Sequence, residues 1–246
     1  MKIKAQKKFG QNFLKDRYYL NQIVQAMSDN HLPIVEIGPG LGDLTEKLLE
    51  KGEVVGYEID TRLCELLKEK FPNLQLKCGD VLEFWEKGPL YPVPYRIVAN
   101  LPYYIATKIV LKGLADSLVK EMVVMVQKEV AEKFLARPGD RNYSPLAILT
   151  ESVGRVEKVV DVPPGAFSPP PKVTSSVIKI VKERESFDPE FAQFLRIAFQ
   201  NPRKTLRKNL RPHYPDLKLE ELGIPPTIRP HQLDYPTFFQ LFSKLR

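Results

Sequence analysis

Ile34-Val35-Glu36-Ile37-Gly38-Pro39-Gly40-Leu41-Gly42 decides the fold, because a short apolar run breaks there into three glycines at alternate positions. The run reads as a buried strand, and residues 44–50 behind it carry helical spacing, so the unit is strand, tight turn, helix. Glycine at such a turn accepts positive φ and lets the backbone approach a ligand with no Cβ in between. Working outward, strands are predicted at 54–57, 74–77, 96–99 and 122–126, and helical stretches at 17–28, 61–70 and 107–114. Strands separated by helices predict an α/β domain, a parallel sheet with helices on both faces.

Past Gly154 the texture changes. Residues 156–162 are strand-like, 163–171 form a Pro-rich loop and 173–181 alternate, which predicts a hairpin-like addition at the sheet edge. Residues 182–189 are charged and poor in apolar side chains, whereas Phe191, Phe194, Leu195, Ala198 and Phe199 recur at helical spacing. The expected organisation is an α/β domain over 1–182 and a small all-helical domain over 183–246.

With 43% hydrophobic residues in 246, the chain can bury a real core. Its longest apolar runs are strand-sized, and its start lacks the apolar centre of a signal peptide, so a cytoplasmic protein without a membrane span is expected. Cys64 and Cys78 with three scattered histidines suggest neither a disulfide framework nor a metal site, and read as two ordinary thiols. The net charge of +7 is concentrated. Lys2, Lys4, Lys7, Lys8 and Lys15 crowd residues 1–15, and Arg196, Arg203, Lys204, Arg207, Lys208 and Arg211 crowd 191–215, with no acid in either stretch. A solvated helix face normally intersperses acids, so two acid-free basic arms favour a nucleic-acid partner. Pro202 suits a first helical turn, after which Arg203, Lys204, Arg207, Lys208 and Arg211 would share one face, unneutralised, against phosphates.

The glycine turn alone is a weak signal, although its GxGxG spacing departs from the GxGxxG usual in dinucleotide-binding dehydrogenases. Three residues sharpen it, each just after a predicted strand: Glu58, able to accept from ribose hydroxyls, Asp80, able to accept from an adenine amino group, and Asn100. Singly each is equally well a turn or capping residue, but on one sheet edge they make a nucleoside-shaped set.

Asn100-Leu101-Pro102-Tyr103 carries the chemistry. The exocyclic N6 of adenine is a poor nucleophile because its lone pair is delocalised into the ring. Accepting hydrogen bonds from its two N–H groups, at the Asn100 side-chain oxygen and a backbone carbonyl of Leu101 or Pro102, lets the nitrogen pyramidalise, while Pro102 removes a competing N–H. The methyl donor is then S-adenosyl-L-methionine, and rate enhancement comes from positioning and electrostatics. Tyr103 offers a flat face for an extruded base, and Phe167 is a candidate for the other face.

Together with Phe9-Gly10-Gln11-Asn12-Phe13-Leu14, Phe167-Ser168-Pro169-Pro170-Pro171-Lys172-Val173 and Arg203-Lys204-Thr205, these motifs resemble, in order and over nearly the whole chain, the small-subunit ribosomal RNA adenine dimethyltransferases of the KsgA/RsmA type. The resemblance implies a Rossmann-like S-adenosylmethionine-dependent methyltransferase domain with a small helical domain behind it. It implies that Asn12 and Leu14 close over the cofactor, that Gly38 and Gly40 line its pocket, that Glu58 holds the ribose and Asp80 the adenine, and that Asn100 stands between cofactor and target. It further implies N6,N6-dimethylation of two adjacent adenines near the 3′ end of 16S ribosomal RNA, on the immature small subunit, during ribosome biogenesis; a monomer is expected. The rivals are a large-subunit RNA methyltransferase of the macrolide-resistance type, disfavoured by Leu101 and residues 199–205; a ribosome assembly factor with secondary or lost catalysis, of which the intact tetrapeptide argues against the lost catalysis alone; and an NAD-linked oxidoreductase, disfavoured by the GxGxG spacing and by the lack in this chain of a catalytic His or Tyr-Lys arrangement.

Overall fold

A computed structural model describes residues 4–245. In chain order its elements are β1 (Phe13–Leu14), α1 (Arg17–Ala26), β2 (Ile34–Ile37), α2 (Asp43–Leu49), β3 (Val54–Glu58), α3 (Thr61–Lys70), β4 (Gln75–Cys78), α4 (Val81–Glu86), β5 (Tyr95–Asn100), α5 (Ala106–Ala115) and β6 (Val119–Gln127). They continue with α6 (Lys128–Leu135), α7 (Pro145–Val153), β7 (Gly154–Val162), β8 (Phe167–Ser168), β9 (Ser175–Lys182), α8 (Pro189–Ala198), α9 (Leu206–Leu210) and α10 (Tyr235–Lys244).

The main sheet runs β4-β3-β2-β5-β6-β9-β7; the first five strands are mutually parallel and β9 and β7 add antiparallel, as the edge hairpin requires. Strand alternation sorts the side chains. Ile34, Val98, Val123 and Met125 pack with Leu20 and Ile23 of α1 and Leu44 and Leu48 of α2, while Val35, Ile37, Ile97, Ala99 and Val124 pack with Trp85 of α4, Ile109 and Val110 of α5 and Phe134 of α6. Both faces are buried, which is why these strands read as largely apolar runs with no regular polar alternation. The strand order turns back at β2, flanked by β3 and β5, and a crevice opens at such a switch point beyond the carboxyl ends of the strands.

Four features go beyond what the sequence pattern predicts: α4, α6, α7 and the β1–β8 pair. Of α4 there are only six residues, and α7 buries Ala147, Ile148, Leu149, Thr150, Ser152 and Val153, so almost no polar stripe marks its period. The buried core of α8, α9 and α10 is shared with α7, since Ile148 and Leu149 pack in one cluster with Phe191, Phe194, Leu206, Phe238 and Leu241. Residues 183–245 therefore borrow a wall from the α/β unit. In place of the two ordinary thiols expected, Cys64 and Cys78 are disulfide-bonded, with 6.2 Å between their Cα atoms. The pairing is tertiary: α3 returns the chain to β4 beside β3, which a 14-residue separation does not announce.

Candidate active site

A cleft of about 850 Å³ opens beyond the carboxyl ends of β2, β3, β4 and β5. Asn12, Gly38, Gly40, Glu58, Asp80, Asn100, Leu101, Pro102 and Tyr103 all line it, so residues spread over 92 positions of sequence converge on one space. Gly38 has φ +72°, and a Cβ there would meet nothing within 4 Å. The backbone thus presents an open cradle on the cleft wall. Gly40, at φ +62°, has the Phe13 ring 3.0 Å from where its Cβ would lie, so the glycine admits the strap formed by residues 9–14.

Several contacts fasten that strap and the residue that follows it. Gln11 Nε2 donates to Asp60 Oδ2 (2.9 Å), Lys15 Nζ meets Asp43 Oδ2 (2.5 Å), and β1 pairs antiparallel with β8. Asp60 caps α3 and holds Arg62 through two further hydrogen bonds of 3.0 and 2.6 Å. The Arg62 guanidinium keeps its carboxyl down at about 2.

Glu58 ends β3 and is 4% exposed. Its Oε2 accepts from Gly40 N–H and its Oε1 from Asp60 N–H, both at 3.0 Å, so the carboxylate is fixed while each oxygen retains a second lone pair. Burial raises its pKa, and the backbone hydrogen bonds oppose the rise. Asp80 caps α4 through Oδ1, which accepts from Leu82 N–H at 2.9 Å. Its Oδ2 has no hydrogen bond among those described. Two carboxylates with spare acceptor capacity beside an open glycine cradle fit the ribose and adenine of S-adenosylmethionine.

Asn100 ends β5, where Nδ2 donates to the Asn12 carbonyl at 3.0 Å. An amide whose nitrogen is committed presents its oxygen the other way, so Oδ1 remains the acceptor. Leu101 N–H donates to Met125 O (3.1 Å) and Ile105 N–H to Pro102 O (3.2 Å), so that of the Leu101 and Pro102 carbonyls it is the Leu101 carbonyl that accepts no backbone hydrogen bond among the described residues. Tyr103 is half-buried, its hydroxyl 2.6 Å from Ser175 Oγ. Tyr104, 60% exposed, also lines the cleft; this second aromatic, directly after the tetrapeptide, is a site residue that the motif does not include although it stands in plain sequence.

Leu14 and Phe167 lie elsewhere. Leu14 (4% exposed) lines a small neighbouring cavity and packs in the core with Phe167. Phe167 is 5% exposed and does not line the cleft, so the expectation that it covers a base is corrected: the β1–β8 pairing turns its ring into the core, where it anchors the strap. The same small cavity contains Glu36, which stands inside the strand-turn stretch 34–42, although that motif assigns it no role. An acid between Val35 and Ile37 on a strand buried throughout was the available signal. Glu36 is 1% exposed and accepts from Thr45 Oγ1 at 2.6 Å. Burial pushes its carboxyl up to about 8, Thr45 pulls it partly back, and Glu58 adds to the rise.

The basic segment also differs from expectation. Residues 202–204 are turn, Thr205 caps α9, and the helix holds only Leu206–Leu210, so Pro202, Arg203 and Lys204 stand before the helix and not on its face. Arg203, Lys204, Arg207, Lys208 and Arg211 are all exposed. One is neutralised: Arg207 Nη1 lies 3.3 Å from Glu220 Oε1, an acid supplied from beyond the acid-free stretch. Lys2 of the amino-terminal arm falls outside the described residues. Among the described residues no cluster of potential metal ligands occurs, and no helix is long and apolar enough to cross a membrane.

The sequence profile described as "Ribosomal RNA adenine dimethylase" matches residues 2–245. The chain belongs to that family. The ribosomal RNA small subunit methyltransferase A of Sulfurimonas denitrificans is 50% identical over 100% of this chain and 95% of its own. Among solved structures, a dimethyladenosine transferase from Plasmodium falciparum superposes with TM-score 0.82 at 30% identity over 95% of this chain and 97% of the other. The 23S rRNA methyltransferase ErmE superposes with TM-score 0.74 at 27% identity, over 95% and 99%. The α/β Rossmann-like methyltransferase fold is common to the family.

Glu36 gives a pH signature. A carboxyl whose folded pKa lies above its unfolded value contributes stability that is present below the unfolded pKa of 4.5 and lost as pH rises through about 8. Glu36→Gln, which mimics the protonated form, therefore gains stability relative to the parent between about pH 5 and pH 8, read as a widening difference in melting temperature; a constant difference would show that Glu36 ionises as freely folded as unfolded.

Proposed function

We propose that this chain uses S-adenosyl-L-methionine to dimethylate N6 of two adjacent adenines near the 3′ end of small-subunit (16S) ribosomal RNA, on the immature cytoplasmic subunit. The observation that carries the reading is the Asn100 amide, its nitrogen tied to Asn12 O, its oxygen left to accept beside the free Leu101 carbonyl and Tyr103. Identity of 50% with a small-subunit methyltransferase, against 27% with ErmE, supports the small-subunit target over the large.

The bound cofactor supplies an electrophilic methyl group on a sulfonium. Glu58 and Asp80 accept hydrogen bonds from its nucleoside, and the cradle at Gly38 and Gly40 gives its body room without side-chain obstruction. Asn100 Oδ1 and Leu101 O accept hydrogen bonds from the two N6–H groups and so leave the nitrogen lone pair free, and the one proton that N6 sheds on methylation passes to solvent. Tyr103 stacks the extruded base. After one transfer a single N6 proton remains, which one of the two acceptors suffices to hold, so the same site serves the second methylation. The exposed cations at Arg203, Lys204, Lys208 and Arg211 hold RNA phosphates without reading sequence.

Incubation with labelled cofactor and undermethylated small or large subunits, followed by mapping of the base, tests this: label is expected as dimethyladenosine at adjacent adenines of the small-subunit RNA, and label confined to large-subunit RNA would overturn it. Asn100→Ala is expected to keep RNA affinity and lose roughly a hundredfold in single-turnover rate; a near-parental rate would make the tetrapeptide mere architecture. Lys204→Glu with Lys208→Glu is expected to weaken RNA binding and lower the slope of log affinity against log salt by about one unit for each phosphate that is no longer neutralised. An unchanged slope would move the RNA-binding surface away from this segment.

A further inference from the structure

Ser175 opens β9 opposite Gln127, the last residue of β6, at the edge of the sheet where the cleft lies. It is 0% exposed, and its Oγ lies 2.6 Å from the Tyr103 hydroxyl. Its neighbour Ser176 points the other way, as strand alternation demands, and donates from Oγ to Asp161 Oδ1 at 2.6 Å. Two adjacent serines thus have separate partners, and only one of them serves the cleft. Conjugation keeps both the hydrogen and the hydrogen-bonding lone pair of a phenol in the plane of its ring, so the bond favours that plane whichever hydroxyl donates. A partner fixed in a strand therefore restrains both where the ring swings and how it tilts, which an apolar contact at the ring edge does not do. The pair is also mutually demanding, since a buried hydroxyl without its partner is left unsatisfied.

The position of Ser175 in the chain adds a second link. The segment that starts at Phe167 and Ser168 pairs with Phe13 and Leu14 of the strap, and the strap's Asn12 carbonyl holds Asn100. At its other end Thr174 O accepts from Lys128 N–H at 3.0 Å, which ties the segment to the end of β6. One loop, residues 167–175, therefore touches the frame of both reacting elements: through the strap it sets the amide acceptor, and through Ser175 it sets the aromatic platform. We infer that Ser175 is a positioning residue for methyl transfer, holding the Tyr103 ring at the cleft wall in the orientation that stacks the target adenine in register with Asn100. This rests on the reading of Tyr103 as the stacking platform.

The test uses single-turnover methylation of undermethylated small subunits at saturating cofactor, with the affinity for cofactor and the affinity for subunits measured separately. Ser175→Ala and Tyr103→Phe are each expected to slow the chemical step by about tenfold, the equivalent of one ordinary hydrogen bond's worth of misplacement. Cofactor affinity is expected to stay within about twofold, because a factor of two is well under 1 kcal/mol. The double variant is expected to be no slower than either single one, since both remove the same bond, and Ser175→Thr, which keeps the hydroxyl, is expected to restore the rate. Should Ser175→Ala fail to fold, Tyr103→Phe keeps the ring and tests the same bond. A rate for Tyr103→Phe equal to the parent, or rate decreases that multiply in the double variant, would overturn the inference. Tyr103→Ala separates the two levels: if it leaves the rate unchanged, the stacking reading itself fails, whereas a large decrease there with none in Tyr103→Phe and Ser175→Ala overturns only the role of Ser175.

Discussion

The hydrogen bond from Asn100 Nδ2 to the Asn12 carbonyl, 88 residues apart in sequence, joins the two halves of the site. Its direct contribution to stability is ordinary, about 0.5–1.5 kcal/mol. Its consequence for chemistry is larger, because an amide is planar and its two ends point apart. Committing the nitrogen commits the oxygen, and the oxygen is the atom that an adenine amine requires. Everything that holds Asn12 in place therefore helps to aim Asn100: the β1–β8 pair, the Gln11–Asp60 bond, and Phe13 over Gly40.

The sheet makes this arrangement possible. Parallel strands end together, so Glu58, Asn100 and the residues after β2 and β4 arrive at one rim from separate parts of the chain. The cost is that the strands are buried on both faces and tolerate few polar groups. Glu36 is the exception within β2, and burial holds its carboxyl far toward the neutral form while Thr45 supplies a hydrogen bond. The exposed cations around α9 stand outside this frame, where charge can meet a polyanion without disturbing the core.

Legibility in the sequence followed the physics of each element. The glycine turn, the parallel strands and the edge hairpin were readable because periodicity and positive-φ glycine are local properties. Glu58, Asp80 and Asn100 were readable because strand ends are local too, and parallel topology brings them together without further information. Phe167 was misplaced because an aromatic in a Pro-rich loop carries no mark of which side its ring faces; that is set by pairing with residues more than 150 positions away. The basic face on α9 failed at its start, where Thr205 competes as a cap, and at Arg207, whose acidic partner Glu220 lies outside the acid-free stretch. Tertiary partners such as Cys64 with Cys78 and Tyr103 with Ser175 leave no trace in spacing.

Joint acceptance of hydrogen bonds from the target amine by Asn100 and the Leu101 carbonyl is tested most directly by a crystal structure with S-adenosylhomocysteine and an RNA carrying the target adenine. N6 is expected within about 3.2 Å of both Asn100 Oδ1 and Leu101 O, with Nδ2 still on the Asn12 carbonyl. An Asn100 amide turned to present its nitrogen to the base, or an N6 beyond hydrogen-bond reach of both oxygens, would contradict it.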